Sequence, residues 1–241
     1  TMSTAQRLYE GIELGGRGAV EIGTTETGRA LKAAVLVEHD AFADQGRPGE
    51  EVGEWRHEAE TAKRLAAELR DAGLAMLYVG AESGDDEVLE RVNKGESYAS
   101  TADALHKAGE AGLKRSVMIL NGLGGSTLSD QHADHSARLV NETQPEFVST
   151  LVVSFPQGME RFQARYPDFA PLTQEQLFQE LQRFVGALEL DNTTFRSDHA
   201  SNALVLKGEL GRDKAQLLGQ IEQAIARPHS AGLRPEWMRG L

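Results

Sequence analysis

Ala75-Met76-Leu77-Tyr78-Val79-Gly80 is the stretch on which the fold turns. An unbroken apolar run of this length reads as a strand of a parallel sheet, where both faces are covered and no alternation is needed. Upstream, Ala62, Leu65, Ala66, Leu69 and Ala72 recur at helical spacing, and Gly73 stands where such a helix stops. Downstream the unit repeats. Helices are expected over 86–92 and 99–111, a strand over 116–120, a helix over 128–142 and a strand over 147–154. Thr173 and Gln176 then form a capping box for a helix over 173–188, with Leu177, Leu181, Phe184 and Leu188 on one face. A short strand over 193–196 and a helix over 213–226 complete the series. Alternation at this spacing predicts right-handed βαβ units, hence half a barrel or an open sheet.

The first part of the chain reads differently. Gly15, Gly16, Gly18, Gly23 and Gly28 are interleaved with Thr24, Thr25 and Thr27, a composition that weakens regular elements. Only Ala30 to Glu38 has the character of an ordered segment, either a short buried strand or a helix turn, and Ala43 to Glu54 reads as a linker. The expected organisation is a divergent glycine-rich region over 1–57, partly disordered, an α/β domain over 58–227 and a loose tail over 228–241.

Composition narrows the function classes. The chain has 241 residues, 40% hydrophobic and 26% charged, which is the make-up of a folded globular protein. A formal net charge of -12 opposes adsorption to nucleic acid or anionic lipid. No apolar run is long enough to span a bilayer, and the polar start lacks the order of a signal peptide, so a cytoplasmic location is expected. With Cys 0, disulfides, thiolate nucleophiles, cysteine-ligated zinc and iron-sulfur ligation by this chain are excluded.

Ligands of parallel α/β folds sit at the C-terminal ends of the strands. Three loops are expected there: Gly80 to Glu87, Asn121 to Ser126 and Ser154 to Gly158. Glu82 can accept hydrogen bonds from a ribose or an ammonium group and Ser83 can add a hydroxyl, although Ser83 or Asp85 serves equally as the cap of the next helix. Gly122-Leu123-Gly124-Gly125-Ser126 lets a ligand approach the backbone and can present amides to an anion, or is simply a tight turn, since the Lys-Ser/Thr pair of a phosphate loop is missing. Asp130, His132, Asp134 and His135 read as solvated polar surface rather than as a metal site. Asp198, His199 and Asn202 lie in a polar segment that either lines a pocket or forms an internal hydrogen-bond network. Ser83, His199 and Asp198 do not make a triad, because adjacent Asp and His cannot easily adopt the geometry. No catalytic residue and no metal ligand is assigned.

The stretch Leu77-Tyr78-Val79-Gly80-Ala81-Glu82-Ser83-Gly84-Asp85-Asp86-Glu87-Val88-Leu89-Glu90-Arg91-Val92-Asn93-Lys94-Gly95 resembles the fourth-strand segment of the radical SAM superfamily. Ala108 to Lys114 with Val117 to Gly125 is similar to the family's fifth strand and glycine-rich loop, and Val148 to Gly158 to its sixth. Phe195-Arg196-Ser197-Asp198-His199-Ala200-Ser201-Asn202, followed by Leu206-Lys207-Gly208, resembles a C-terminal signature of one bacterial branch. The resemblance implies a parallel-stranded partial (β/α) barrel, a TIM-like half-barrel. In it Glu82 and Ser83 lie near the ribose or methionine part of S-adenosylmethionine and the Asn121, Gly122, Gly124, Gly125 loop near its adenine, with Ser154 beside them. Asp198, His199 and Asn202 then face a substrate pocket. The family holds a [4Fe-4S] cluster on Cys-x3-Cys-x2-Cys, which has no counterpart here, and residues 1–57 do not resemble its first strands. The expectation is a truncated or degenerate member, not active alone, with a weak S-adenosylmethionine pocket. The alternatives are an interaction or assembly module that self-associates, or one half of a split enzyme completed by a cluster-bearing chain.

Overall fold

The computed structural model describes residues 11–14, 19–21, 63–64, 66–155 and 158–239. Its strands are β1 (Gly11–Leu14), β2 (Ala19–Glu21), β3 (Leu74–Glu82), β4 (Lys114–Asn121), β5 (Phe147–Val152), β6 (Thr193–Ser197) and β7 (Leu206–Leu210). Its helices are α1 (Asp86–Arg91), α2 (Tyr98–Glu110), α3 (Gly125–Thr143), α4 (Glu160–Gln163), α5 (Gln174–Ala187) and α6 (Lys214–Ala226). The strands follow the order β2-β1-β3-β4-β5-β6-β7. β5 and β6 are parallel, with Val148 opposite Phe195, while β7 returns antiparallel to β6 and β1 is antiparallel to both β2 and β3. Helices occupy every connection from β3 to β6. The α/β class expected from the sequence is present, and over the described residues the sheet does not close.

The chain divides into two compact units. One takes residues 1–79 and 100–116. Its core joins Leu69, Leu74, Ala108 and Leu113, with Ala66 and Leu77 packed against them. Arg70 adds a hydrogen bond from Nη1 to the Ala111 carbonyl at 2.9 Å.

The other unit takes residues 80–99 and 117–241. Here α3 packs on α5 and α5 on α6. The contacts follow from helical spacing: Leu139 and Val140 on α3, Phe178, Leu181, Phe184 and Val185 on α5, and Leu217 and Ile221 on α6 are all buried. Each such side chain contributes roughly 1.5–3 kcal/mol of burial energy. α5 starts where the sequence places it: the Thr173 hydroxyl accepts from the Gln176 amide and the Gln176 side chain accepts from the Thr173 amide. Gly84 is close-packed against α3, where a Cβ would stand 2.3 Å from the His135 carbonyl oxygen.

The structure departs from the sequence reading in several places. β3 continues to Glu82, so the first strand-end loop is shorter than expected, and α3 begins at Gly125 directly after the glycines. β7 was not expected: Leu-Lys-Gly-Glu-Leu looks weak alone, but pairing with β6 satisfies its backbone and buries Leu206 and Leu210. β1 and β2 form within the glycine-rich region, since strands this short need only backbone pairing. Ala30 to Glu38 and the linker Ala43 to Glu54 lie outside the described residues. Residues 228–239 carry two short 3₁₀ turns, and the Arg234 amide donates to the Ala203 carbonyl at 2.7 Å. No helix among the described residues is long and apolar enough to cross a membrane.

Because the Thr173 cap closes one end of the helix that carries much of the second core, Thr173→Ala should lower stability by about 1 kcal/mol, with Thr173→Ser nearly neutral. Urea midpoints of the three proteins check this.

Candidate functional site

β3, β4, β5 and β6 bring Glu82, Asn121, Ser154 and Ser197 to or just past their C-terminal ends. Glu82 is the most strained of them. It lies in the left-handed region with φ 64, is 7% exposed, and faces Lys94 Nζ at 3.4 Å. A non-glycine residue there costs about 1–2 kcal/mol, and strain of this kind concentrates at functional sites.

Ser83 and His132 are buried together. The Ser83 hydroxyl meets His132 Nδ1 at 2.8 Å and accepts from the Asp85 amide at 3.0 Å. His132 Nε2 lies 3.0 Å from the Leu120 carbonyl, which can only accept, so Nε2 carries the proton and Nδ1 accepts from Ser83. Burial pulls the His132 pKa down to about 4, which keeps the ring neutral. The reading of His132 as solvated surface is therefore corrected. It is 1% exposed because it heads the buried stripe His132, Ser136, Leu139, Val140 and Thr143 on α3. That spacing was the signal to use. His135 is the solvated one, and it bonds Asp85, which also caps α1 by accepting from the Val88 amide at 2.9 Å. Of the two candidate caps, Ser83 and Asp85, it is Asp85 that caps α1.

The glycine-rich loop is filled from within. Gly122 takes φ 89, a conformation suited to glycine, and its amide donates to Glu180 Oε1 at 2.5 Å. The Ser129 hydroxyl bonds Glu180 Oε2 at 2.6 Å. The amides of Leu123, Gly125 and Ser126 donate to the carbonyls of Leu120, Gly122 and Ala170. The Gly124 carbonyl accepts from the Tyr166 hydroxyl at 2.7 Å. Each of these four amides has a partner inside the protein, as in the tight turn that is the other reading of this segment. Glu180 is 3% exposed, and its burial pushes the carboxyl up to about 7 against the pull of the Ser129 and Gly122 bonds. The sequence reading passed over Glu180. It stands among Leu177, Leu181 and Phe184 on the apolar face of α5, and a carboxylate in that stripe was the visible clue.

A small cavity of about 20 Å³ opens where β4, β5 and β6 end. It brings together two of the residues singled out from the sequence, Asn121 and Asn202, with Thr150, Ser197 and Arg239. Asn121 Nδ2 donates to the Leu177 carbonyl at 3.1 Å and Asn202 Nδ2 to the Thr150 carbonyl at 2.7 Å. Glu82, Ser83, the three glycines, Ser154, Asp198 and His199 do not line it. Asp198 pairs with Lys207 at 2.8 Å, and His199 Nδ1 sits 2.9 Å from the Ser201 hydroxyl, within the internal network that was one of two expectations for this segment. Among the described residues no three His, Cys, Asp or Glu side chains gather as metal ligands.

Residues 43–140 match the family model described as the radical SAM superfamily. Among solved structures, the archaeal Methanocaldococcus infernus Elp3 with an N-terminal deletion (1-46) is similar, with a TM-score of 0.50 and 16% identity over 71% of this chain and 39% of that one. This chain thus spans well under half of that protein, and the likeness is one of fold. No curated protein sequence matches this chain.

His132 Nε2 and Glu180 Oε1 lie 3.9 Å apart, and these two buried groups predict an unusual pH profile. Between pH 4 and 6.5 the unfolded chain takes up a His132 proton that the folded chain refuses, so this residue makes stability rise with pH. Between pH 4.5 and 7 the folded chain keeps a Glu180 proton that the unfolded chain loses, so this residue makes stability fall. Each effect is on the order of 3 kcal/mol, and they offset one another. Glu180→Gln removes the second, and its stability should climb by roughly 3 kcal/mol across the His132 window, as read from urea titrations at several pH values. A profile parallel to that of the parent protein would contradict the assignment.

Proposed function

We propose, from the premise that the chain belongs to the radical SAM superfamily, that it ligates no iron-sulfur cluster, performs no reductive cleavage alone, and offers S-adenosylmethionine at most a weak site. One observation carries this reading: Cys 0 in 241 residues. Clusters of this kind are held by cysteine thiolates, and among the described residues no set of side chains gathers to replace them. Without a cluster no electron reaches the sulfonium of the cofactor, and side chains do not replace that chemistry.

For S-adenosylmethionine itself the fit is partial. The strain held at Glu82 supports a retained role, since a glycine would occupy φ 64 without penalty. The internally bonded loop and the water-sized cavity favour weak binding. Glu82 would then accept from a hydroxyl or ammonium group and the Asn121 carboxamide would orient a polar edge, while the bound molecule would bring an adenosyl sulfonium. A cytoplasmic location agrees with this reading.

Anaerobic incubation with iron and sulfide should leave the chain without cluster absorbance or stoichiometric iron. Calorimetric titration should give a dissociation constant no tighter than about 1 mM, an affinity of roughly -4 kcal/mol. A stoichiometric cluster or micromolar binding overturns the proposal.

The unclosed sheet favours a second reading, in which a cluster-bearing chain or a second copy completes the fold. Light scattering across concentration and co-purification examine it. A strict monomer that retrieves no cysteine-rich chain defeats it.

A further inference from the structure

The geometry points to an oxyanion site closed by the C-terminal segment, with the Arg239 guanidinium set over the cavity at the ends of β4, β5 and β6. The polar groups lining that cavity are Asn121, Thr150, Gln174, Ser197, Asn202 and Arg239. None is a carboxylate, so the one cation has no counter-charge there, in a chain whose net charge is -12. Two of the groups are also left wanting. Arg239 Nε is buried without a hydrogen-bond partner, and so is Oγ1 of Thr150, a residue 2% exposed. Buried donors are normally paired, and an oxyanion, which accepts from a guanidinium N–H and a hydroxyl together and supplies the missing counter-charge, would satisfy both.

The surroundings are arranged for such a guest. Asn121 and Asn202 each spend one amide hydrogen on a carbonyl, which fixes the carboxamide and leaves a second hydrogen on the same nitrogen. The segment that carries Arg239 is held at Arg234, whose Nη1 donates to the His199 carbonyl at 2.7 Å and to the Asn202 carbonyl at 3.2 Å. Beyond that anchor the apolar side chains do not hold it down: Trp237 is 84% and Met238 52% exposed. A cavity of about 20 Å³ admits one water, so an oxyanion enters only as this strap lifts and settles again over it. Site and strap are one device, and the ligand class is a small carboxylate or an inorganic oxyanion.

The inference does not depend on S-adenosylmethionine, and its test uses simple anions so that the two readings fail separately. Acetate and sulfate are titrated into the full chain, followed by calorimetry and by the thermal midpoint, with chloride held constant. Saturable binding of at least one is expected, and the preferred anion separates an organic carboxylate from an inorganic source. Arg239→Gln should weaken it at least tenfold with the midpoint of the unliganded protein unchanged, Arg239→Lys should recover part of the loss, and Thr150→Val should weaken it several-fold. Failure of both anions to bind the parent chain, or equal binding by Arg239→Gln, overturns the proposal.

Discussion

The second unit depends on one buried carboxyl. Glu180 reaches from α5 to the Gly122 amide and the Ser129 hydroxyl, and thereby ties that helix to the end of β4 and to the start of α3. His132, one turn further along α3, bonds both the Leu120 carbonyl and Ser83, which links the same helix to the turn after β3. Charged and polar groups in an apolar interior are costly unless every lone pair and proton is placed. This network places them, and the result is a set of strand ends fixed by internal bonds.

That internal satisfaction decides what the strand ends can do. In a fold of this kind, ligand sites are made from loops whose amides and side chains remain open at the C-terminal edge of the sheet. Here the glycine-rich loop spends its amides on Glu180, on its own carbonyls and on Ala170. Beside it lies a small cavity lined by Asn121, Thr150, Asn202 and Arg239 among others. The inward-turned loop thus leaves few backbone amides open to a ligand at these strand ends.

Much of the fold was legible because periodicity reports packing. The apolar run before Gly80 and the Thr173/Gln176 box mark β3 and α5 through local patterns, and both elements form there. β7 was illegible because its stability lies in pairing with β6, a relation between distant residues that no local pattern carries. The site was read less well. Asn121 and Asn202 do meet, but Ser83 is 0% exposed and engaged by His132 and Asp85, and neither partnership is visible from sequence spacing. His132 looked polar and therefore external, and Glu180 was passed over, although each stands in a buried helical stripe. Arg239 carried no signal, since its place over the cavity is set by the Arg234 anchor.

Hydrogen exchange at the amides of Gly122, Leu123, Gly125 and Ser126, recorded with and without S-adenosylmethionine, is the most direct measurement. If the loop is closed by Glu180, its own carbonyls and Ala170, these amides exchange slowly in the free chain and the cofactor leaves them unchanged. Fast exchange that slows on adding S-adenosylmethionine would mean that the loop is an open binding element, and that the strand ends keep the family's site.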